Sequence, residues 1–167
     1  MLDTGPPGRY LRPMNLMDYT TAGGFLPGLE CDSVAGAVAR LVDQILDGGD
    51  IDSAQDLVRE VMRRETEGST AIGGGLVIPH ARFAGVGEVR IAVATLAEPV
   101  EIPSEDGKPV DIVILLVGPD GDPRRMLRVL ARLARLVRHE SFLQGLREAP
   151  TPEALGAAFA KVGESLS

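Results

Sequence analysis

The sequence predicts a single α/β domain with a mostly parallel or mixed central sheet sandwiched between helices. Apolar spacings of helical period precede, interrupt and follow the strand-like segments, an order that stacks helices on both faces of a sheet. Val110 to Val117 is apolar except at Asp111, as befits a central strand covered on both faces. With 167 residues, 44% of them hydrophobic, the chain can bury a sizeable core in one domain.

Met1 to Pro13 reads as a flexible extension, because Gly5, Pro6, Pro7, Gly8 and Pro13 prevent a regular ladder. A short apolar stretch around Phe25 and Leu26 follows. Asp32 and Ser33 then offer N-caps to a helix whose stripe is Val34, Val38, Leu41, Val42 and Ile45. Gly48 and Gly49 suit its C-terminal end. Ser53 with Asp56 suggests a capping box for a second helix, buried through Leu57, Val58, Val61 and Met62.

Beyond Glu67 the pattern changes to a loop at Gly68, Ser69 and Thr70, three glycines at 73–75, and a short strand through Leu76, Val77 and Ile78 that ends at His80. Val89 to Leu96 alternates Val89, Ile91 and Val93 against Arg90, Ala92 and Ala94, which predicts a strand with one better-buried face. Asp106 and Gly107 mark a turn before the central strand.

Asp122 is a candidate N-cap with Pro123 at the first helical position. Met126, Leu130, Leu133 and Val137 make the stripe of this long helix, flanked by Leu127 and Ala134. Six arginines from Arg124 to Arg138 fill much of the rest and read as a solvated face. Ser141 is a candidate cap for a short helix with Phe142, Leu143 and Leu146, and Thr151 with Pro152 starts a last one carrying Leu155, Phe159 and Val162.

Composition narrows the function classes. No apolar run nears the roughly 20 residues that span a bilayer, so no membrane insertion is expected. The first residues lack a secretory signal, which makes the cytoplasm the expected location. Cys31 is the only cysteine, which excludes an intrachain disulfide and suggests packing. A net charge of −7 argues against nucleic acid, which is bound through clustered cations in excess. His80, His139 and Cys31 have no short metal-ligand spacing, and Ser69 lacks the G-x-S-x-G setting of a hydrolase nucleophile. Neither metal nor cofactor is expected.

The run R-R-E-T-E-G-S-T-A-I-G-G-G-L-V-I-P-H-A-R, residues 63–82, resembles the active-site signature of fructose/mannitol-type enzyme IIA domains of the bacterial phosphotransferase system, nitrogen-regulatory members included. The resemblance covers about Met14 to Val162, so residues 14–167 are expected to form an enzyme IIA-like domain. It implies that His80 carries a phosphoryl group received from a phosphorylated histidine-containing phosphocarrier protein. An enzyme IIB domain or a regulatory target protein would be the recipient. Elementary chemistry agrees: an imidazole is neutral often enough near pH 7 to attack phosphorus, and guanidinium groups balance the charge on the equatorial oxygens. Arg64, Ser69 and Arg82 are the candidate phosphate-binding residues. In bland readings, Arg64 complements a helix C-terminus and Arg82 is a solvated charge.

The resemblance has one departure. The family usually carries a second histidine near the start of the helix after the central strand, followed by leucine, and Met126 and Leu127 stand there in this chain. Methionine donates no hydrogen bond. His139 is no substitute, since thirteen residues of continuous helix would separate it from Met126 by roughly 20 Å. Arg124 or Arg125 could assist instead. Two functions are therefore expected in competition: a phosphoryl carrier at His80, or a non-enzymatic regulatory module that binds other proteins with transfer impaired.

Overall fold

A computed structural model describes residues 14–47 and 49–165 as one α/β domain. The extension expected over 1–13 and the Gly48 helix end lie outside the described residues. In chain order the elements are β1 (Phe25–Leu29), α1 (Val34–Ile45), α2 (Ile51–Glu67), β2 (Ala71–Gly73), β3 (Leu76–Val77), β4 (His80–Arg82), β5 (Arg90–Val100), β6 (Val110–Gly118), α3 (Pro123–Leu136), α4 (Glu140–Glu148) and α5 (Pro152–Ser165). A 3-10 turn at Leu16–Tyr19 precedes them, with Asn15 Oδ1 accepting from Met17 N at 3.0 Å.

The sheet is mixed, ordered β1-β5-β6-β3-β2, with β4 also paired to β6. β1 runs parallel to β5, β5 antiparallel to β6, and β3 and β4 both parallel to β6. Leu76 pairs with Ile112 and His80 with Leu116, so β3 and β4 keep one register along β6. Between them stands Pro79, whose nitrogen has no hydrogen to give the ladder, although its carbonyl still accepts from Leu116 N at 3.0 Å.

Strand alternation divides the core in two. Ile112, Ile114 and Leu116 of β6, with Ile91 and Val93 of β5, face α3, α4 and α5. Val113, Leu115 and Val117, with Ala92 and Ala94, face α1 and α2. The sequence predicts one better-buried face for β5, but both are buried. Its alanines are covered by α1, because a methyl side chain lets a helix approach closely. On the opposite side Phe159 lies 5.9 Å from both Phe25 and Phe142, ring centre to ring centre, in tilted pairs. Cys31 is half-buried and packs against the α1 and α2 side.

The caps largely follow the sequence. Ser33 Oγ accepts from Gly36 N at 3.0 Å, Asp122 Oδ1 from Arg125 N at 3.3 Å and Thr151 Oγ1 from Ala154 N at 3.1 Å. Two differ. α2 starts before the expected box, with Asp50 Oδ1 accepting from Ser53 N at 2.7 Å. α4 begins at Glu140, ahead of Ser141, with His139 at the cap position and no side-chain bond there. An aspartate has the same capping competence as the serine expected for α2, and the earlier start buries Leu57 and Val61 unchanged.

The three glycines turn β2 into β3 with φ of +90°, +70° and +81°. Asp106 holds this turn from the β5–β6 loop, its Oδ2 accepting from Gly74 N at 2.8 Å. That backbone bond, with another from Lys108 N, keeps the Asp106 carboxyl below its ordinary value. A depressed folded-state value means that the contribution is complete above the unfolded value of about 3.9 and is lost as pH falls through the lower folded one. We expect Gly74 amide protection to be constant from neutral pH down to about 4 and to fall below it. At neutral pH Asp106→Ala should already have removed it, as amide exchange will report.

Candidate functional site

The side chains near the C-terminal end of β4 are set by the period of two. Leu76 and Ile78 point to the α3 side, Val77 and Ala81 to the α1 and α2 side, so His80 and Arg82 continue the line of Ile78. Gly118, opposite Arg82, is where β6 ends and α3 comes down. A Cβ there would lie 2.9 Å from Met126 Sδ and 3.2 Å from its Cβ, so glycine lets the start of α3 pack closely on the His80 end of the sheet, and a larger residue would need Met126 to shift. β4 pairs only with β6, which makes it an edge strand at this level and leaves room for α2 to bring Arg64 to the same place.

The result is a cavity of about 270 Å³ lined by Arg64, His80, Arg82, Pro123, Met126, Leu127 and Leu130. His80 is half-buried. Its Nδ1 lies 2.8 Å from the carbonyl oxygen of Ile78. A carbonyl only accepts, so Nδ1 carries the proton in the neutral ring and Nε2 keeps its lone pair. Among the described residues neither Arg64 nor Arg82 makes an ion pair. Glu60, one turn before Arg64, is occupied by Arg63, whose hydrogen bond holds its carboxyl below the usual range. Two exposed guanidinium groups and an apolar wall thus surround one imidazole, and α3 adds the positive end of its dipole.

Ser69 is not brought into this cavity. It is exposed in the turn before β2, and its Oγ accepts from Ala71 N at 3.1 Å. Next to it, Thr70 binds Glu65 through both its amide, 2.8 Å, and its hydroxyl, 2.6 Å, tying the turn back to α2. The glycine turn is also elsewhere. Gly75 precedes Leu76 at the N-terminal end of β3, five residues of strand and roughly 16 Å from His80. Arg124 and Arg125 are exposed and line none of the wall; Arg125 Nε donates to Asp122 Oδ2 at 3.3 Å. His139 stands beyond the end of α3, exposed, at the start of α4.

Sequence reasoning missed the Ile78 carbonyl and the apolar wall from Pro123, Leu127 and Leu130. Leu127 carried a signal of its own: it flanks rather than occupies the buried stripe, and it is 64% exposed.

Residues 21–162 match the family model described as "Phosphoenolpyruvate-dependent sugar phosphotransferase system, EIIA 2". The chain is 31% identical over 148 residues to a nitrogen regulatory protein of Bradyrhizobium diazoefficiens, covering 88% of this chain and 95% of that one. It is 35% identical over 130 residues to a nitrogen regulatory protein of Pseudomonas aeruginosa, covering 78% and 82% respectively. Among solved structures, nitrogen regulatory protein IIA-Ntr from Neisseria meningitidis superposes with a TM-score of 0.76 at 27% identity, covering 85% of this chain and 97% of that one.

Proposed function

The chain belongs to the EIIA 2 family of the phosphoenolpyruvate-dependent sugar phosphotransferase system, a phosphotransferase family, and on that premise we propose that His80 Nε2 accepts and returns a phosphoryl group. The observation that carries this reading is the Nδ1 bond to Ile78, which leaves Nε2 as the free nucleophile of a ring in a two-arginine cavity.

The step balances simply. Nε2 attacks phosphorus as the bond from phosphorus to a donor histidine nitrogen breaks, and the electron pair of that bond returns to the donor ring. No proton leaves His80. Its ring gains positive character, which strengthens the Nδ1–H bond to the Ile78 carbonyl. Arg64 and Arg82 supply charge for the phosphoryl oxygens, while Met126, Leu127 and Leu130 limit access of water. Met126 gives no hydrogen bond, so the cavity relies on its guanidinium groups where a second histidine would have contributed. Ser69 shapes the turn before β2 through its bond to Ala71 N and does not touch phosphate.

On this reading the donor is a phosphorylated histidine-containing phosphocarrier protein, and the recipient is an enzyme IIB domain or a regulatory target, all in the cytoplasm. The names of the two relatives favour the regulatory branch, in which phosphorylation changes charge at a protein-binding surface. No helix of the described residues is long and apolar enough to cross a membrane.

The test is incubation with the phosphorylated phosphocarrier protein, followed by detection of acid-labile phosphate. Labelling is expected; its absence overturns the carrier reading and leaves the binding module. Met126→His restores a donor over the cavity, and we expect its labelling rate to exceed that of the parent by about tenfold or more. An unchanged rate would make Met126 incidental to transfer.

A further inference from the structure

The segment 123–138 holds six arginines and not one carboxylate, in a chain whose net charge is −7. On α3 these arginines are not all accounted for by the fold. Arg125 has Asp122, but among the described residues Arg124, Arg128 and Arg135 have no ion-pair partner. Away from the cavity, the arginines of α2 behave differently: Arg59 has Asp56, and Arg63 has Glu60 and Glu67. A cation in the last turn of α3, such as Arg135, favours the helix dipole, whereas Arg124 in the first turn opposes it. Helix stability therefore gives no reason for Arg124.

Their placement does. At 100° per residue, Leu127, Ala131 and Ala134 form an exposed apolar strip whose one border is the His80 cavity, to which Leu127 itself belongs. Arg124, Arg128 and Arg135 form the other border, 60–100° further round the helix by the same geometry. Arg64 and Arg82 stand across the cavity. An apolar centre between arginine margins is the composition of a protein-binding surface rather than of a solvated face.

We propose that this face of α3 is the docking surface for a partner protein that presents acidic residues around an apolar centre, and that it seats the partner directly over His80. The inference deepens the phosphoryl-transfer reading by giving the partner's chemistry, and it rests on that reading for the purpose of docking there. Charge complementarity selects the occupant. Aspartate and glutamate meet the unpaired guanidinium groups at both margins, and their field steers encounter. A lysine-rich face is repelled. Nucleic acid is disfavoured because the strip has no aromatic side chain on which bases could stack and the chain as a whole is acidic.

The probe is a helical peptide of leucine and glutamate, compared with its leucine and lysine counterpart and a single-stranded RNA oligomer, each titrated into the whole protein with amide-resolved NMR. The glutamate peptide should shift α3 amides and those around His80, with affinity falling about tenfold or more between roughly 20 and 300 mM salt. Arg124→Glu with Arg128→Glu and Arg135→Glu should weaken binding at least as much. These positions are exposed, and the unchanged amide spectrum outside α3 will report that the variant is folded. Binding should persist in His80→Ala, which separates the surface from phosphoryl chemistry: failure of labelling then leaves the docking result standing. Binding away from α3, equal affinity for the lysine peptide, tighter binding of RNA, or indifference to the triple reversal overturns the proposal.

Discussion

His80→Ala is expected to reduce acid-labile labelling from the phosphorylated phosphocarrier protein to background. The loss should be complete rather than partial, because no second histidine reaches the cavity: His139 lies exposed beyond α3. Stability should scarcely change. The His80 ring is half-buried and makes one hydrogen bond, to the Ile78 carbonyl, at a cavity where water can take the ring's place. His80→Gln sharpens the result, since its amide can still donate to the Ile78 carbonyl yet offers no nucleophile. Labelling that survives either substitution would transfer the acceptor role to another residue. Arg64→Ala and Arg82→Ala should instead slow labelling without abolishing it, since each removes compensating charge and leaves Nε2 in place.

Gly75→Ala should be the most damaging small substitution in the fold. Gly75 has φ of +81°, where alanine is strained by roughly 1–2 kcal/mol. Its new Cβ would also lie 2.7 Å from both Arg147 Nη2 and Asp111 Oδ1. Those atoms belong to a clamp in which Arg147 donates Nε to Asp111 Oδ2 at 2.8 Å, Nη2 to Asp111 Oδ1 at 3.0 Å, and Nη2 again to the Gly74 carbonyl. The clamp joins α4, β6 and the glycine turn, with Arg147 only 23% exposed. Displacing it adds the loss of a charge-assisted pair, for a total of about 3 kcal/mol, or roughly 6–12 °C in Tm. In an Arg147→Met background the steric part should shrink, and thermal unfolding of the two singles and the double will measure that coupling. A Tm shift below about 2 °C would mean that the turn relaxes freely. Below its midpoint Gly75→Ala should still accept phosphate, because the turn lies at the opposite end of β3 from His80.

The strand between the glycines and the histidine was legible in the sequence, but the separation of Ser69 from the site was not. The twelve residues from Ser69 to His80 read as one signature, with the serine counted beside the histidine among the phosphate-site residues. In the fold a strand rises about 3.3 Å per residue, and this alone carries His80 away from Gly75. Ser69 is separated for a different reason, since its hydroxyl is held locally by Ala71 N. What the sequence did convey at the site was His80 after a short apolar strand, Arg64 in the last turn of a helix and Met126 where a histidine is usual, although the strand expected to end at His80 stops at Val77 and a second one starts at His80. The cavity brings these three together.

Periodic patterns determined the elements. An apolar residue every third or fourth position, an almost unbroken apolar strand, and Asp122 before Pro123 are local statements, decided by backbone geometry and by which side chains can cap a helix end. The sequence likewise determined that an imidazole with nucleophilic chemistry follows Pro79. Tertiary structure alone decided which face of β4 His80 occupies, which ring nitrogen is free, and what surrounds it. Those depend on β4 sharing its register with β6, on Gly118 admitting Met126, and on an edge strand leaving space for Arg64, contacts between residues 8 to 62 positions apart. No local period encodes such distances. On α3 the helical period alone sets Arg124, Arg128 and Arg135 beside Leu127, Ala131 and Ala134, but only packing left that strip exposed and put it at the border of the His80 cavity.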